Sequence, residues 1–379
     1  MVERIPFLSP TFPEVDALAS DYEAILRRRI FSNGGPVEQE LARALSRWVN
    51  NEIGASLVSS GTAGLQLAIN ATFNAKREYA LVASFTFAAG PLAIRLCGYE
   101  PVFLDVDPES WQPSLDDAAE FLTVNGESTA GLLLTNTFGV ANEEIEAWEV
   151  LADRHSLPLV VDSAAGFGSQ YLSDERLGAR GTCEVFSFHA TKTLAIGEAG
   201  AVTSRDPELI KRIDRIKNFG FDEARNAVVL GTNAKLSELS CAIGLRQLAA
   251  LPDRLALRRG ILGLYREELC ALGVYFQPSS ELSALPFVSA LLPSSAARAA
   301  TLATLQAAGV EARTYYNPPV HLHSLFAGSR LACRSLSTTL DLASRVISLP
   351  MSDDLTAADV ARIARACREA QSADVVQSR

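Results

Sequence analysis

Two periods of apolar residues alternate along this chain. Runs of apolar and β-branched residues at 55–59, 79–84, 101–105, 130–135 and 158–161, then at 184–188 and 201–203, read as buried strands. Between them apolar residues recur every three or four positions. Leu18, Tyr22, Ile25 and Leu26 mark a helix over 15–29, and Val37, Leu41, Leu45 and Val49 mark another behind Pro36. Leu67, Ala68 and Ala71 continue as a helix after Ser60-Gly61-Thr62, and a further helix is expected over 207–216. Strand and helix alternating at this spacing predict an α/β fold with a mainly parallel sheet flanked by helices on both faces. Ligands of such sheets gather at the carboxyl ends of the strands. From Leu251-Pro252-Asp253 onward the pattern changes. Helical stretches at 254–272, 295–308 and 357–370 surround short strands at 274–276 and 290–292, which predicts a smaller α+β domain. With 379 residues the chain is too long for one compact core, so the division expected is 1–252, including the N-terminal segment, and 253–379.

Charge and composition narrow the partners. A net charge of −10 gives no general attraction to nucleic acid or to an anionic membrane surface. No run of about twenty apolar residues is free of charge, and no N-terminal stretch has signal-peptide character, so a soluble, cytoplasmic protein is expected. Six cysteines (Cys97, Cys183, Cys241, Cys270, Cys333 and Cys367) show neither a CxxC pair nor metal-ligand spacing and read as small core residues. His321 and His323 lack a third ligand cluster, so no metal site is expected.

Chemistry enters with Lys192, a few residues beyond the apolar run at 184–188. A lysine at a strand end either snorkels into water or, against apolar surface, loses hydration and favours the neutral amine that forms a Schiff base with an aldehyde cofactor. Ser187 and His189 stand two apart and share a face of an extended segment, so Ser187 could reach an anion held near the lysine. Upstream, a strand, a glycine turn and a helix meet at Ser60-Gly61-Thr62-Ala63, where free N–H groups at the helix start suit a phosphate, although the same residues make a plain N-cap. Asp162 ends an apolar strand, which is costly unless a cation meets it. Phe87 follows a strand and could lie on a flat ring or simply fill the core.

Together, Ser187-Phe188-His189-Ala190-Thr191-Lys192 with Gly197-Glu198-Ala199-Gly200, the Ser-Gly-Thr-Ala turn, Gly231-Thr232-Asn233, Tyr315-Tyr316-Asn317-Pro318 with His321, and Leu349-Pro350-Met351 occur in an order that resembles the DegT-type sugar aminotransferases. These are pyridoxal 5′-phosphate (PLP) enzymes of the aspartate aminotransferase fold, fold type I. The resemblance implies that Lys192 holds PLP and acts as general acid and base, while Asp162 keeps the pyridine nitrogen charged. It further implies that Phe87 stacks on the ring, that Gly61, Thr62, Ala63 and Ser187 hold the phosphate, and that Asn233 reaches the phosphate of a neighbouring subunit. The substrate side is then expected at His189, Arg313, Tyr316 and His321. The expected reaction moves an amino group, usually from glutamate, to a keto group of a nucleotide-linked sugar, in a homodimer with shared sites. One departure stands out, because the family usually carries a polar residue where this chain has Ala165. That departure keeps open a PLP-binding regulatory or sensing protein with little turnover. An aminotransferase of a keto-cyclitol is a further alternative.

Overall fold

A computed structural model of the chain describes residues 4–377, and of 372–377 the backbone only. Its large sheet has seven strands, β1 (Gly54–Val58), β2 (Tyr79–Ala83), β3 (Glu100–Leu104), β4 (Thr129–Thr135), β5 (Leu159–Asp162), β6 (Cys183–Ser187) and β7 (Gly200–Ser204), in the order β1-β7-β6-β5-β4-β2-β3. All neighbours run parallel except β7, which is antiparallel to β1 and to β6. The second sheet, β8 (Tyr275–Phe276), β9 (Val288–Leu291) and β10 (Val346–Leu349), is antiparallel. Helices α1 (Val15–Arg28), α2 (Pro36–Val49), α3 (Gly61–Thr72), α4 (Ala89–Leu96), α5 (Leu115–Asn125), α6 (Ile145–Arg154), α7 (Pro207–Ile216) and α8 (Glu238–Ala249) belong with the large sheet. The smaller sheet is accompanied by α9 (Leu251–Leu269), α10 (Ser295–Ala307), α11 (Ser337–Arg345) and α12 (Ala357–Gln377).

The apolar runs are nearly continuous because the sheet is buried on both sides. Successive strand residues point to opposite faces, so Leu57, Leu81 and Val161 join a core with α2, α5 and α6, while Val58, Val82 and Val160 join one with α3, α4 and α7. Local capping sets several helix starts: Ser60, Ser114, Ser237 and Ser294 each accept a backbone N–H of the first turn.

The seam between the two units differs in detail from the pattern reading. Helix α9 starts at Leu251, not at 254, because Pro252 fits a first helical turn where no N–H partner is needed. Leu251 and Leu255 pack into the core of the large sheet, whereas Ile261, Leu262 and Tyr265 pack into that of the small one, so a single helix crosses the seam. The N-terminal segment crosses it too. Ile5 pairs with Val310, its N–H bonding to Gly309 at 3.0 Å, and Ser9 Oγ donates to Asp354 at 3.0 Å. Farther along, the Thr11 carbonyl accepts from Gln247 Nε2 at 2.6 Å. Among the described residues, no helix is long and apolar enough to cross a membrane.

Candidate active site

The start of α3 is built to approach β6 and β7 closely. Ser60 Oγ accepts from Ala63 N–H at 3.1 Å and the Ser60 carbonyl from Gly64 N–H at 3.0 Å, which leaves the N–H groups of Gly61 and Thr62 at the mouth of the helix. A Cβ at Gly61 would lie 2.8 Å from Ser187 Cβ, and one at Gly200 would lie 2.9 Å from Gly61 N. Glycine at both positions therefore brings the Ser187 side chain against the helix start. Donor N–H groups, a hydroxyl and the positive end of a helix dipole converge there, which is the chemistry of a phosphate cradle.

Asp162 closes β5 in a buried position, its Oδ1 accepting from Ala164 N–H at 3.0 Å. Burial pushes its carboxyl up to about 6, against the opposing pull of the Ala164 N–H and of Lys192. Among the described residues it forms no salt bridge, and Lys192 is the cation whose charge acts on it. Phe87 follows the buried Ser84, Phe85 and Thr86 yet is 63% exposed, so it is not the core phenylalanine that the strand pattern also allowed.

Lys192 projects from a turn closed by its own backbone: Ala190 N–H bonds Gly197 O at 2.8 Å, Ile196 N–H bonds Phe188 O at 2.8 Å, and Lys192 N–H bonds His189 O at 2.9 Å. The side chain is half-buried. Burial draws its amine below the usual lysine range, and the Asp162 carboxylate acts in the opposite direction. His189 sits on the same turn, Nδ1 at 2.9 Å from Thr191 Oγ1 and Nε2 at 3.4 Å from Glu198.

The segment after Thr314 folds back over these strand ends. Tyr316 stacks on Phe138 with centroids 5.1 Å apart, and burial, joined by the charge of Asp162, raises its phenol above the ordinary range. His321 Nδ1 lies 2.6 Å from Ser84 Oγ, and burial lowers its pKa. The peptide bonds Tyr315–Tyr316 and Asn317–Pro318 are cis. Arg313 is placed differently from the other expected residues. Its exposed guanidinium lies 5.5 Å over the Phe7 ring and 3.7 Å from Glu311. Asn233 is exposed, in a short ribbon with Asn218, one residue before Ala234, whose carbonyl accepts from Ser59 N–H at 2.9 Å. Ala165 is half-buried on the loop after β5, its carbonyl close enough to Gly139 that a Cβ there would meet it at 2.3 Å.

Pattern reading missed the residues behind the Lys192 turn. Leu8, Thr11, Arg254 and Arg258 line a small cleft together with Lys192. The detectable signal was two arginines four apart on α9, interleaved with core leucines, a position where charge is normally absent. Glu184, on β6, is also fully buried, accepting from the Ser163 hydroxyl and, at 2.6 Å, from Gly178 N–H, and burial pushes it up to about 7.

The profile of the DegT/DnrJ/EryC1/StrS aminotransferase family matches residues 14–368, and the chain belongs to that family. Among its relatives, protein Rv3402c of Mycobacterium tuberculosis is 43% identical over 374 residues, covering 98% of this chain and 91% of that protein. The dTDP-3-amino-3,4,6-trideoxy-alpha-D-glucose transaminase of Streptomyces venezuelae is 30% identical over 82% of this chain and 81% of its own. The crystal structure of DesI in the presence of its TDP-sugar product superposes with a TM-score of 0.88 at 30% identity, covering 100% of this chain and 96% of that one.

Proposed function

We propose that this protein is a PLP-dependent aminotransferase that transfers an amino group, with glutamate as donor, to a keto group of a nucleotide-linked deoxysugar in the cytoplasm. The observation that carries this reading is Asp162, a buried carboxylate with no salt bridge among the described residues, facing the half-buried Lys192 across the strand ends. The cofactor's known needs fit the residues present. Gly61, Thr62, Ala63 and Ser187 would hold the phosphate, Phe87 would offer a ring face, and Asp162 would serve the ring nitrogen as an anion. PLP, when bound, supplies an electron sink for charge left on the carbon that bears the amine. Lys192 Nζ is the attachment point and, with its proton affinity lowered by burial, the base that takes the proton from that carbon. Tyr316 and His321 cover the site from the smaller unit, and His189 and Arg313 complete the substrate side.

The substrate class is supported by the names of relatives, a dTDP-sugar transaminase and a structure containing a TDP-sugar product. A homodimer is supported by exposed apolar side chains around Asn233, with Val228 53% and Leu230 89% exposed, in the segment that we assign to the partner's phosphate site. Lys192→Ala should fold and still take up PLP, but borohydride should no longer fix the cofactor to it. Fixation at wild-type yield would identify another lysine and remove the basis of the reading. The pyridoxamine form, offered a panel of nucleotide-linked 3-keto and 4-keto sugars beside a free keto-cyclitol, should turn over only with the former. Co-expressing inactive Lys192→Ala and Asn233→Asp chains should restore up to about a quarter of wild-type activity if sites are shared. Confirmed heterodimers without activity would place Asn233 in its own subunit's site.

A further inference from the structure

Two arginines on α9 are buried beside the turn that carries Lys192. Arg254 and Arg258 are 8% and 6% exposed, and both pair with Asp353, which follows β10 in the smaller unit: Arg254 Nε lies 2.6 Å from Oδ2, and Arg258 Nε and Nη2 lie 2.9 and 2.8 Å from Oδ1. Their remaining N–H groups go to the Lys192 turn and its surroundings. Arg254 Nη1 donates to the Thr193 carbonyl at 2.9 Å, and Arg258 Nη1 to the Thr193 hydroxyl at 3.1 Å and to the Leu285 carbonyl at 2.9 Å. Arg254 Nη2 reaches Gln247 Oε1 at 2.9 Å, and the Nε2 of that glutamine donates to Ala195 O at 2.8 Å. Thr193 Oγ1 in turn donates to Ala284 O at 2.6 Å.

Charges this deeply placed cost desolvation that apolar side chains of similar volume would avoid, so stability alone is a weak reason for them. What they provide is direction. Planar guanidiniums fix the atoms they grip more tightly than apolar contacts do, and the atoms gripped belong to the residue next to Lys192. We propose that Arg254, Arg258 and Asp353 are positioning residues for Lys192, two guanidiniums joined by one carboxylate of the smaller unit that clamp Thr193 by its carbonyl and hydroxyl. The clamp fixes the turn from which the lysine projects and ties its placement to the seating of the smaller unit. This rests on Lys192 being the amine that binds PLP.

The test uses the full-length protein freed of cofactor. Thr193→Val keeps the shape and removes the hydroxyl, and Thr193→Ser keeps the hydroxyl. Covalent attachment of PLP, followed by absorbance and by borohydride trapping at Lys192, should slow roughly 10- to 100-fold in Thr193→Val, because a small displacement of a reacting group costs about that much. Thr193→Ser should attach at the wild-type rate. Affinity for pyridoxine 5′-phosphate, which carries the ring and phosphate but no aldehyde, should stay within about twofold in all of them, since the phosphate cradle is untouched. Asp353→Asn should slow attachment as Thr193→Val does, and if it does not fold, the Thr193 pair decides alone. A wild-type rate in Thr193→Val, or slowing that Thr193→Ser shares, overturns the clamp. Failure of the wild-type protein itself to attach PLP at Lys192 would instead overturn the reading of that lysine, and is seen before any variant is made.

Discussion

Helices α2 and α3 begin in the same physical situation and resolve it in opposite ways. Neither can satisfy its first N–H groups internally. At α2 the cap is Gly35, which has no side chain, and Glu238 fills the vacancy from two hundred residues away, its carboxylate accepting from Val37 N–H at 3.0 Å and from Glu38 N–H at 2.8 Å. A Cβ on Gly35 would stand 2.5 Å from that carboxyl carbon, so the glycine is needed for the approach. At α3 the Ser60 hydroxyl takes only Ala63 N–H, and no carboxylate among the described residues bonds there. A helix start filled by the protein's own anion is structural, and one left open beside a serine is the start to which we assign the phosphate. The buried carboxylates divide in the same way. Glu184 accepts from both Ser163 and Gly178, whereas Asp162 accepts only the Ala164 N–H among the described residues.

The largest effect should come from Asp162→Asn. A neutral amide stabilises a protonated ring nitrogen much less than a carboxylate, so the glutamate half-reaction should slow roughly 100-fold or more. Without cofactor the sign reverses. The folded-state pKa of Asp162, about 6, is above the ordinary carboxyl value of 3.8, so the folded protein binds the extra proton and loses stability as pH rises between those values. Cofactor-free Asp162→Asn should therefore be the more stable protein at pH 8, by up to about 3 kcal/mol, with the difference gone near pH 4. Denaturant midpoints at the two pH values check this, and equal stability at pH 8 would mean that Asp162 has a partner within the protein after all.

Thr62→Asp makes α3 resemble α2 by adding a carboxylate to its open start. The cofactor-free protein should gain about 0.3–1 kcal/mol from the helix dipole, while PLP binds at least about tenfold more weakly because two anions compete for one site. Calorimetric melting and equilibrium dialysis read the two arms, and an unchanged affinity would place the phosphate elsewhere. The smallest effect on the cofactor belongs to Glu238→Gln, which weakens the filled start. It should cost about 1–3 kcal/mol of stability and leave PLP affinity within about twofold of wild type. A large loss of affinity would show that α2 is not merely structural.

Much of the division of labour was legible in the sequence because it is local. Lys192, Asp162 and the Ser-Gly-Thr turn each sit where an apolar strand ends, and strand ends follow from short-range periodicity. Phe87 illustrates the limit: pattern allowed either a ring platform or a core residue, and only its exposure separates them. What escaped reading depends on long-range encounters. Nothing near Glu238 says that it caps a helix in the other third of the chain, and nothing near Arg254 points to Asp353. Buried charges interrupt the amphipathic pattern instead of extending it, so periodicity registers them as noise. The seat of Ile5 against Val310 is invisible for the same reason, since a single bridge has no period.

That seat has a consequence for how the protein is made. Ser9 bonds to Asp354, a partner 345 residues later, so this segment leaves the ribosome well before the residue that holds it. At synthesis rates of about 5–20 residues per second the wait is roughly 17 to 70 s. Residues 8–11 form one wall of the cleft at Lys192, so during that time the lysine turn lacks one side of its enclosure. The seven strands of the large sheet are complete by Ser204 and can pair long before then. Nascent chains stalled short of residue 354 should accordingly protect the large sheet from protease while residues 8–11 remain cleavable, and early protection of that segment would show that it seats without the smaller unit.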